Sequence, residues 1–167
     1  NQRRGRPIED PELYFHSSMT MVFGHLPLLG IIIVSLVIPV TAGLPYGLGL
    51  VFYLAGIIIN ILAMISFAET KGGLNTGGIY RYSRNPMYVG LFLFVLGINL
   101  MGWNPGPANL MLGLLSIGWI AITHRWALKE EAFLTRKYGR SYLDFKQQIP
   151  RYIRFFGHRK PMDGPLL

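Results

Sequence analysis

Two stretches of this chain hold no formal charge, Thr20–Ala42 and Leu44–Ala68, and they limit the fold more than any other feature. A helix needs about 20 residues to cross the roughly 30 Å hydrocarbon core of a bilayer, and each stretch is long enough. With 51% hydrophobic and only 14% charged residues, the chain is too apolar for an ordinary soluble domain of its length. The sequence reads as an all-α integral membrane protein.

Four apolar segments are expected: Met21–Val40, Tyr46–Ala68, Tyr88–Trp103 and Ala108–Trp126. Ala42-Gly43-Leu44-Pro45 makes a tight turn between the first two, and Gly102-Trp103-Asn104-Pro105-Gly106-Pro107 joins the last two. Asn-Pro and Gly-Pro steps break a helix because proline lacks the N–H and clashes with the preceding turn. Trp103 and Trp126 suit the aromatic belts at the two membrane interfaces. Beyond the fourth segment, Ala127–Tyr138 is rich in helix formers and Gly139 is a natural stop. Ser141-Tyr142-Leu143-Asp144 resembles a capping box opening a short helix that Pro150 ends. Leu134, Tyr138, Tyr142, Phe145 and Ile149 then make an apolar stripe along the tail. Most glycines of the apolar segments (Gly43, Gly47, Gly56, Gly90, Gly97, Gly113, Gly118) read as sites of close helix packing.

Charge sets the expected topology. Arg3, Arg4 and Arg6 precede the first segment, and Lys71, Arg81 and Arg84 lie between the second and third. The fourth is followed by Arg125, Lys129, Arg136, Lys137, Arg140, Lys146, Arg151, Arg154, Arg159 and Lys160, whereas the two short turns carry no charge. Four spans place every basic segment on one side, so both termini and the middle loop are expected in the cytoplasm. Thr20–Ala42 reads as a retained span, since no small-residue cleavage site follows a short apolar core. The expected organisation is a cytosolic segment 1–18, a helical hairpin 19–68, a catalytic region 69–153 and a tail 154–167. The net charge of +8 reflects this bias and attraction to anionic headgroups, and does not call for nucleic acid. The chain has no cysteine, and its four histidines are scattered, so a metal site is not expected.

Two groups of residues exceed what anchoring requires. The middle loop places four glycines before Ile79, Tyr80 and Tyr82 and the run Arg84-Asn85-Pro86-Met87-Tyr88-Val89-Gly90. Permissive backbone beside aromatic rings suits a ligand-cradling loop as well as a flexible linker. The second group is Glu130-Glu131, which a solvated helix patch paired with nearby cations also explains. Neighbours on a helix point about 100° apart, so one carboxylate at most faces a given pocket. A carboxylate turned toward Arg84 stays ionised and can hold a cationic ligand group.

These residues carry a family resemblance. Gly78 to Gly90 resembles the Arg-His-Pro-x-Tyr-x-Gly motif of the isoprenylcysteine carboxyl methyltransferase and phospholipid methyltransferase superfamily. Glu130-Glu131 with Leu134, Tyr138-Gly139, Tyr142, Phe145 and Ile149-Pro150-Arg151 resembles its C-terminal signature. The likeness covers about Leu74 to Ile153, half the chain. It implies S-adenosylmethionine bound at the cytosolic membrane face by Leu74, Gly78, Ile79, Tyr80, Asn85, Pro86, Tyr88 and Glu131. Glu130, Glu131, Arg84 and Tyr88 become the catalytic candidates, with Glu131 preferred over Glu130 for the cofactor's ammonium. Arg136, Arg140 and Arg151 are candidates for orienting an anionic acceptor. Asn85 stands where the family motif most often has His, and an amide cannot carry a proton at neutral pH, so this position holds a ligand and moves no proton.

Methyl transfer from a sulfonium is an in-line displacement in which alignment and exclusion of water dominate. An anionic acceptor needs orientation, while an amine must first lose a proton, for which Glu130 or Glu131 is the available base. The expected partners are the bilayer and a lipophilic acceptor, prenylcysteine-like or phospholipid-like. A sterol-reductase-like enzyme using NADPH and a small non-enzymatic membrane scaffold are the competing readings.

Overall fold

The computed structural model describes residues 26–70 and 73–153. The expectations resting on Arg3, Arg4, Arg6, the start of the first segment, Lys71, Arg154, Arg159 and Lys160 lie outside the described residues.

Among the described residues the chain forms five α-helices and no strand: α1 (Leu26–Val37), α2 (Leu44–Ala68), α3 (Pro86–Met101), α4 (Pro107–Tyr138) and α5 (Arg140–Gln148). A 3-10 turn, Gly78–Arg81, precedes α3. Proline stands in the first turn of α2, α3 and α4, where its missing N–H costs nothing and its fixed φ suits the helix. Two helices, α2 and α4, are long and apolar enough to cross a membrane, while α1 and α3 are shorter apolar helices. Val51, Ile58, Ile65 and Phe67 on α2, and Leu110, Leu114 and Ile117 on α4, are exposed. A continuous apolar surface of this kind matches a lipid environment.

The helices pack as two pairs, α1 on α4 and α2 along α3, with α3 also touching α4. Glycine sets the α2–α3 distance. A Cβ on Gly49 would lie 2.7 Å from Gly97 O, and one on Gly56 would lie 2.6 Å from Gly90 O. The clashes are reciprocal, because a Cβ on Gly97 or Gly90 meets Gly49 O at 2.7 Å or Gly56 O at 2.8 Å. Two glycine pairs two turns apart on antiparallel helices thus let the backbones touch. Gly47, Gly113 and Gly118 have nothing within 4 Å of an added Cβ, and Gly43 meets only Pro45 of its own turn. The expectation of close packing is wrong for these four. Polar groups join α3 to α4, where Asn99 Nδ2 donates to Ser116 Oγ at 2.8 Å and Ser116 Oγ donates to Leu112 O at 2.7 Å.

Helix α4 continues unbroken to Tyr138 and stops at Gly139, whose φ of 54° suits a residue without a Cβ. The capping box does not form. Gly139 is also the N-cap of α5, which starts at Arg140 with no side-chain cap, and Ser141 is exposed one residue inside the helix. The tail stripe packs inward at Tyr142 and Phe145, with Leu134, Tyr138 and Ile149 half-buried beside it. This packing returns the chain beyond α5 to the start of α3.

Candidate active site

The site forms where the segment before α3 meets the charged end of α4. The apolar part of α4 ends near Trp126, and Glu130 and Glu131 lie a turn beyond it. Their side chains diverge as helical geometry requires. Glu131 is buried (3% exposed), whereas Glu130 is exposed.

Glu131 is surrounded by donors. Arg151 grips it with two bonds, Nε to Oε1 at 2.8 Å and Nη2 to Oε2 at 3.0 Å. Arg84 Nη1 lies 3.3 Å from Oε1, Lys146 Nζ 3.9 Å from Oε2, and Asn85 Nδ2 donates to Oε1 at 3.4 Å. Burial alone would raise this carboxyl, but the Arg151 hydrogen bonds and the charges of Arg84, Arg151 and Lys146 outweigh it and hold it below the usual carboxylate range. Glu131 therefore already has its counter-charges. The Arg84 side chain is buried with it (7% exposed), and its Nε and Nη1 have no hydrogen-bond acceptor.

Glu130 has a different environment. The Tyr88 hydroxyl donates to its Oε2 at 3.1 Å. Crowding by the surrounding protein raises its pKa, the Tyr88 hydrogen bond lowers it, and the adjacent Glu131 charge raises it, with a net upward shift. Tyr80 feels the same carboxylate, which adds to burial in raising its phenol. Glu130, Tyr80 and Tyr88 therefore group together, and no cation pairs with this carboxylate among the described residues.

A polar cleft of about 240 Å³ lies between the end of α2 and the glycine loop, lined by Ser66, Glu69, Thr70, Leu74, Asn75, Thr76, Gly77 and Gly78. Gly78 has φ +51°, and a Cβ there would run into the Ser66 side chain, so both conformation and space demand glycine. Asn75 shapes the loop by donating to Ser66 O at 3.0 Å while accepting from Gly77 N at 3.2 Å. Leu74 and Gly78 line the cleft, and Ile79 and Tyr80 continue from it along the 3-10 turn toward Glu130. Ser66, Glu69 and Asn75 belong to this wall as well. Sequence reading missed them, although Glu69 stands at the boundary between an apolar run and a glycine-rich loop.

Asn85 and Pro86 are buried at the base of α3. Asn85 is the residue before the helix, and its amide reaches Glu131. Arg136 and Arg140 are exposed, and no contact brings either to the carboxylates among the described residues; Arg151 alone of the three arginines does so. The backbone around Arg151 is equally engaged. Arg84 N donates to Pro150 O at 2.9 Å, Asn85 N to Arg151 O at 3.1 Å, and Ser83 Oγ to Arg151 O at 3.0 Å.

Comparison with known proteins identifies the family. A phospholipid methyltransferase family model matches residues 44–141, from the start of α2 through both glutamates to the start of α5. Protein-S-isoprenylcysteine O-methyltransferase of Xenopus laevis is 27% identical over 120 residues, covering 65% of this chain and 40% of that protein. Its Schizosaccharomyces pombe counterpart is 35% identical over 80 residues, covering 48% and 32%. Protein-S-isoprenylcysteine O-methyltransferase A of Arabidopsis thaliana is 30% identical over 118 residues, covering 64% and 58%. The chain spans about a third to three-fifths of the length of these relatives. No solved structure matches. The matched region holds the paired glutamates, the Tyr88–Glu130 bond and the glycine-walled cleft, and the chain belongs to the phospholipid methyltransferase family.

Proposed function

We propose that this protein transfers a methyl group from S-adenosylmethionine to a lipophilic acceptor at the cytosolic membrane face, with a prenylated cysteine carboxylate as the favoured acceptor. The observation that carries the reading is the division of labour between the two glutamates. Glu131 is consumed by cations, while Glu130 remains exposed beside Tyr88 and Tyr80, and Tyr80 stands two residues beyond Gly78 of the cleft wall. The names of the relatives, all prenylcysteine O-methyltransferases, favour that acceptor.

The residues fit the proposed cofactor. An ammonium group needs a carboxylate without its own counter-ion, and Glu130 meets that requirement better than Glu131. The ligand's carboxylate needs a cation or backbone N–H groups, for which Arg84 Nε, without an acceptor of its own, and the glycine loop are the candidates. The cleft is smaller than the roughly 300–1,000 Å³ of a typical small-molecule site, so it takes one part of a nucleoside-sized ligand while the Tyr80–Glu130–Tyr88 group takes another.

Bound S-adenosylmethionine supplies an electrophilic methyl on a sulfonium. This chain's residues bind, align and exclude water. Tyr88 fixes the Glu130 rotamer by donating to Oε2. The Glu131 cluster ties α4, α5 and the start of α3 into one rigid base, which holds the reacting groups in line. A carboxylate acceptor is already anionic at neutral pH, so no residue has to remove a proton from it.

The expected topology follows the four apolar helices, with α1 and α3 crossing beside α2 and α4 and the basic ends toward the cytosol. The reading is tested by incubating detergent-purified protein with methyl-labelled cofactor and, separately, a prenylcysteine, a phosphatidylethanolamine and a small thiol. Transfer to the prenylcysteine carboxylate is expected. Transfer to the phospholipid alone would reassign the acceptor, and no transfer to any of them would refute the reading.

A further inference from the structure

The segment after α5, Pro150 to Ile153, belongs to no helix, yet it is held from both sides. Its Pro150 and Arg151 carbonyls accept the Arg84 and Asn85 amides, and Arg151 grips Glu131. The next side chain, Tyr152, seats elsewhere. Its hydroxyl lies 2.9 Å from His124 Nδ1 on α4. Its ring meets Phe92 of α3 edge-on, with centroids 5.3 Å apart and planes at 69°. The methyl-transfer chemistry has no use for His124, Phe92 or Tyr152.

Non-helical backbone can send consecutive side chains to opposite sides, and here Arg151 enters the charge cluster while Tyr152 enters a socket between two helices. Arg84 N, just before α3, takes its acceptor from this segment, and Asn85 N shares its proton between Arg151 O and Ser83 Oγ, a hydroxyl that itself donates to Arg151 O. Tyr88 lies in the first turn of that helix and orients Glu130. Any slip of the segment therefore moves the base of α3 relative to Glu130 and Glu131.

We propose that Tyr152 is a positioning residue, a peg whose seating against His124 and Phe92 locks residues 150–153 as a strap across the base of α3 and keeps the Tyr88–Glu130 pair in register. The peg contributes a shared hydrogen bond and an edge-to-face ring contact, and its hydroxyl bonds to His124 and to neither glutamate. Its effect on turnover rests on the methyltransferase reading, but its effect on the strap does not.

The test reads the strap directly, by hydrogen exchange of the Arg84 and Asn85 amides in detergent-purified protein without cofactor or acceptor. Tyr152→Ala should speed exchange at these two amides by about tenfold or more while amides of α2 and of the middle of α3 stay protected. Tyr152→Phe and His124→Phe each remove the shared hydrogen bond but keep an aromatic ring on both sides of the His124–Tyr152 ring contact, so they carry the test if Tyr152→Ala does not fold. Each should give a smaller increase, and the double variant should add nothing to either single one, since one bond is lost in all three. Unchanged exchange at Arg84 and Asn85, or additive effects in the double variant, would overturn the proposal. In the transfer assay the same variants should lower kcat in the order of their exchange rates. If the unaltered protein transfers no methyl group, the methyltransferase reading fails while the exchange result still decides the strap.

Discussion

Glu130 and Glu131 are adjacent in sequence and opposite in circumstance. The one-residue step of about 100° around α4 turns Glu131 into the buried cluster and leaves Glu130 beside Tyr88. Replacing Glu131 by Gln would leave Arg84, Arg151 and Lys146 facing one another without an anion. Breaking a buried ion pair this way costs about 3–5 kcal/mol, so Glu131→Gln should lower the unfolding temperature markedly in a detergent melt. Glu130→Gln should unfold like the parent, yet bind cofactor roughly ten- to a hundredfold more weakly, matching the about 1.5–3 kcal/mol of a hydrogen bond to a charged group. The acid limb of stability gives a third check. The Glu131 pKa is depressed in the folded protein, so its contribution is present above the unfolded value of about 4.3 and lost as pH falls through the folded value. Melting temperature should therefore decline below about pH 4.3 in the parent, and decline less steeply in Glu131→Gln, which has no carboxyl to protonate.

At the scale of elements, the glycine pairs of α2 and α3 make the sharpest prediction. A Cβ at Gly56 would meet Phe94 N at 2.6 Å as well as Gly90 O. These are backbone atoms that cannot rotate away, so Gly56→Ala and Gly90→Ala should each lower the melting temperature. Gly118→Ala meets nothing within 4 Å and should be neutral or raise it, by up to about 1 kcal/mol of helix propensity. The helices themselves were legible in the sequence, because uncharged runs bounded by Pro and Gly are local signals. The extension of α4 to Tyr138 and its stop at Gly139 were legible for the same reason. Gly49 was not picked out, since nothing local separates a glycine that faces a neighbouring helix from Gly113 or Gly118, which face outward. The capping box was misread because Gly139, with its positive φ, already ends one helix and begins the next. The bonds from Arg84 and Asn85 to Pro150 and Arg151 link backbone groups far apart in the chain and leave no periodic trace. The motifs located both glutamates, but which one is free depends on the phase of α4 and the return of the tail.

Across the described residues, the pairing of α1 with α4 and α2 with α3 leaves apolar surfaces outward and gathers the charged groups at one end, with the 3-10 turn, the α4 extension and α5. Under the proposed function, a site at that end would be open both to a cofactor from the cytosol and to an acceptor held in the bilayer by its lipid tail. Ligand binding should depend on pH in a defined sense. The Glu130 pKa is raised in the protein, so lowering the pH protonates it before an ordinary carboxyl and weakens its hold on a cationic ligand. Cofactor affinity should rise with pH through a midpoint above about 4.3, and Glu130→Gln should abolish that step. The most direct measurement is calorimetric binding of S-adenosylhomocysteine, which keeps the ammonium and carboxylate groups, to the parent protein and to Glu130→Gln in the same detergent. The parent should bind saturably, and the variant should lose roughly ten- to a hundredfold in affinity with its unfolding unchanged. No binding by the parent, or equal binding by a folded Glu130→Gln, would contradict the proposed role of Glu130.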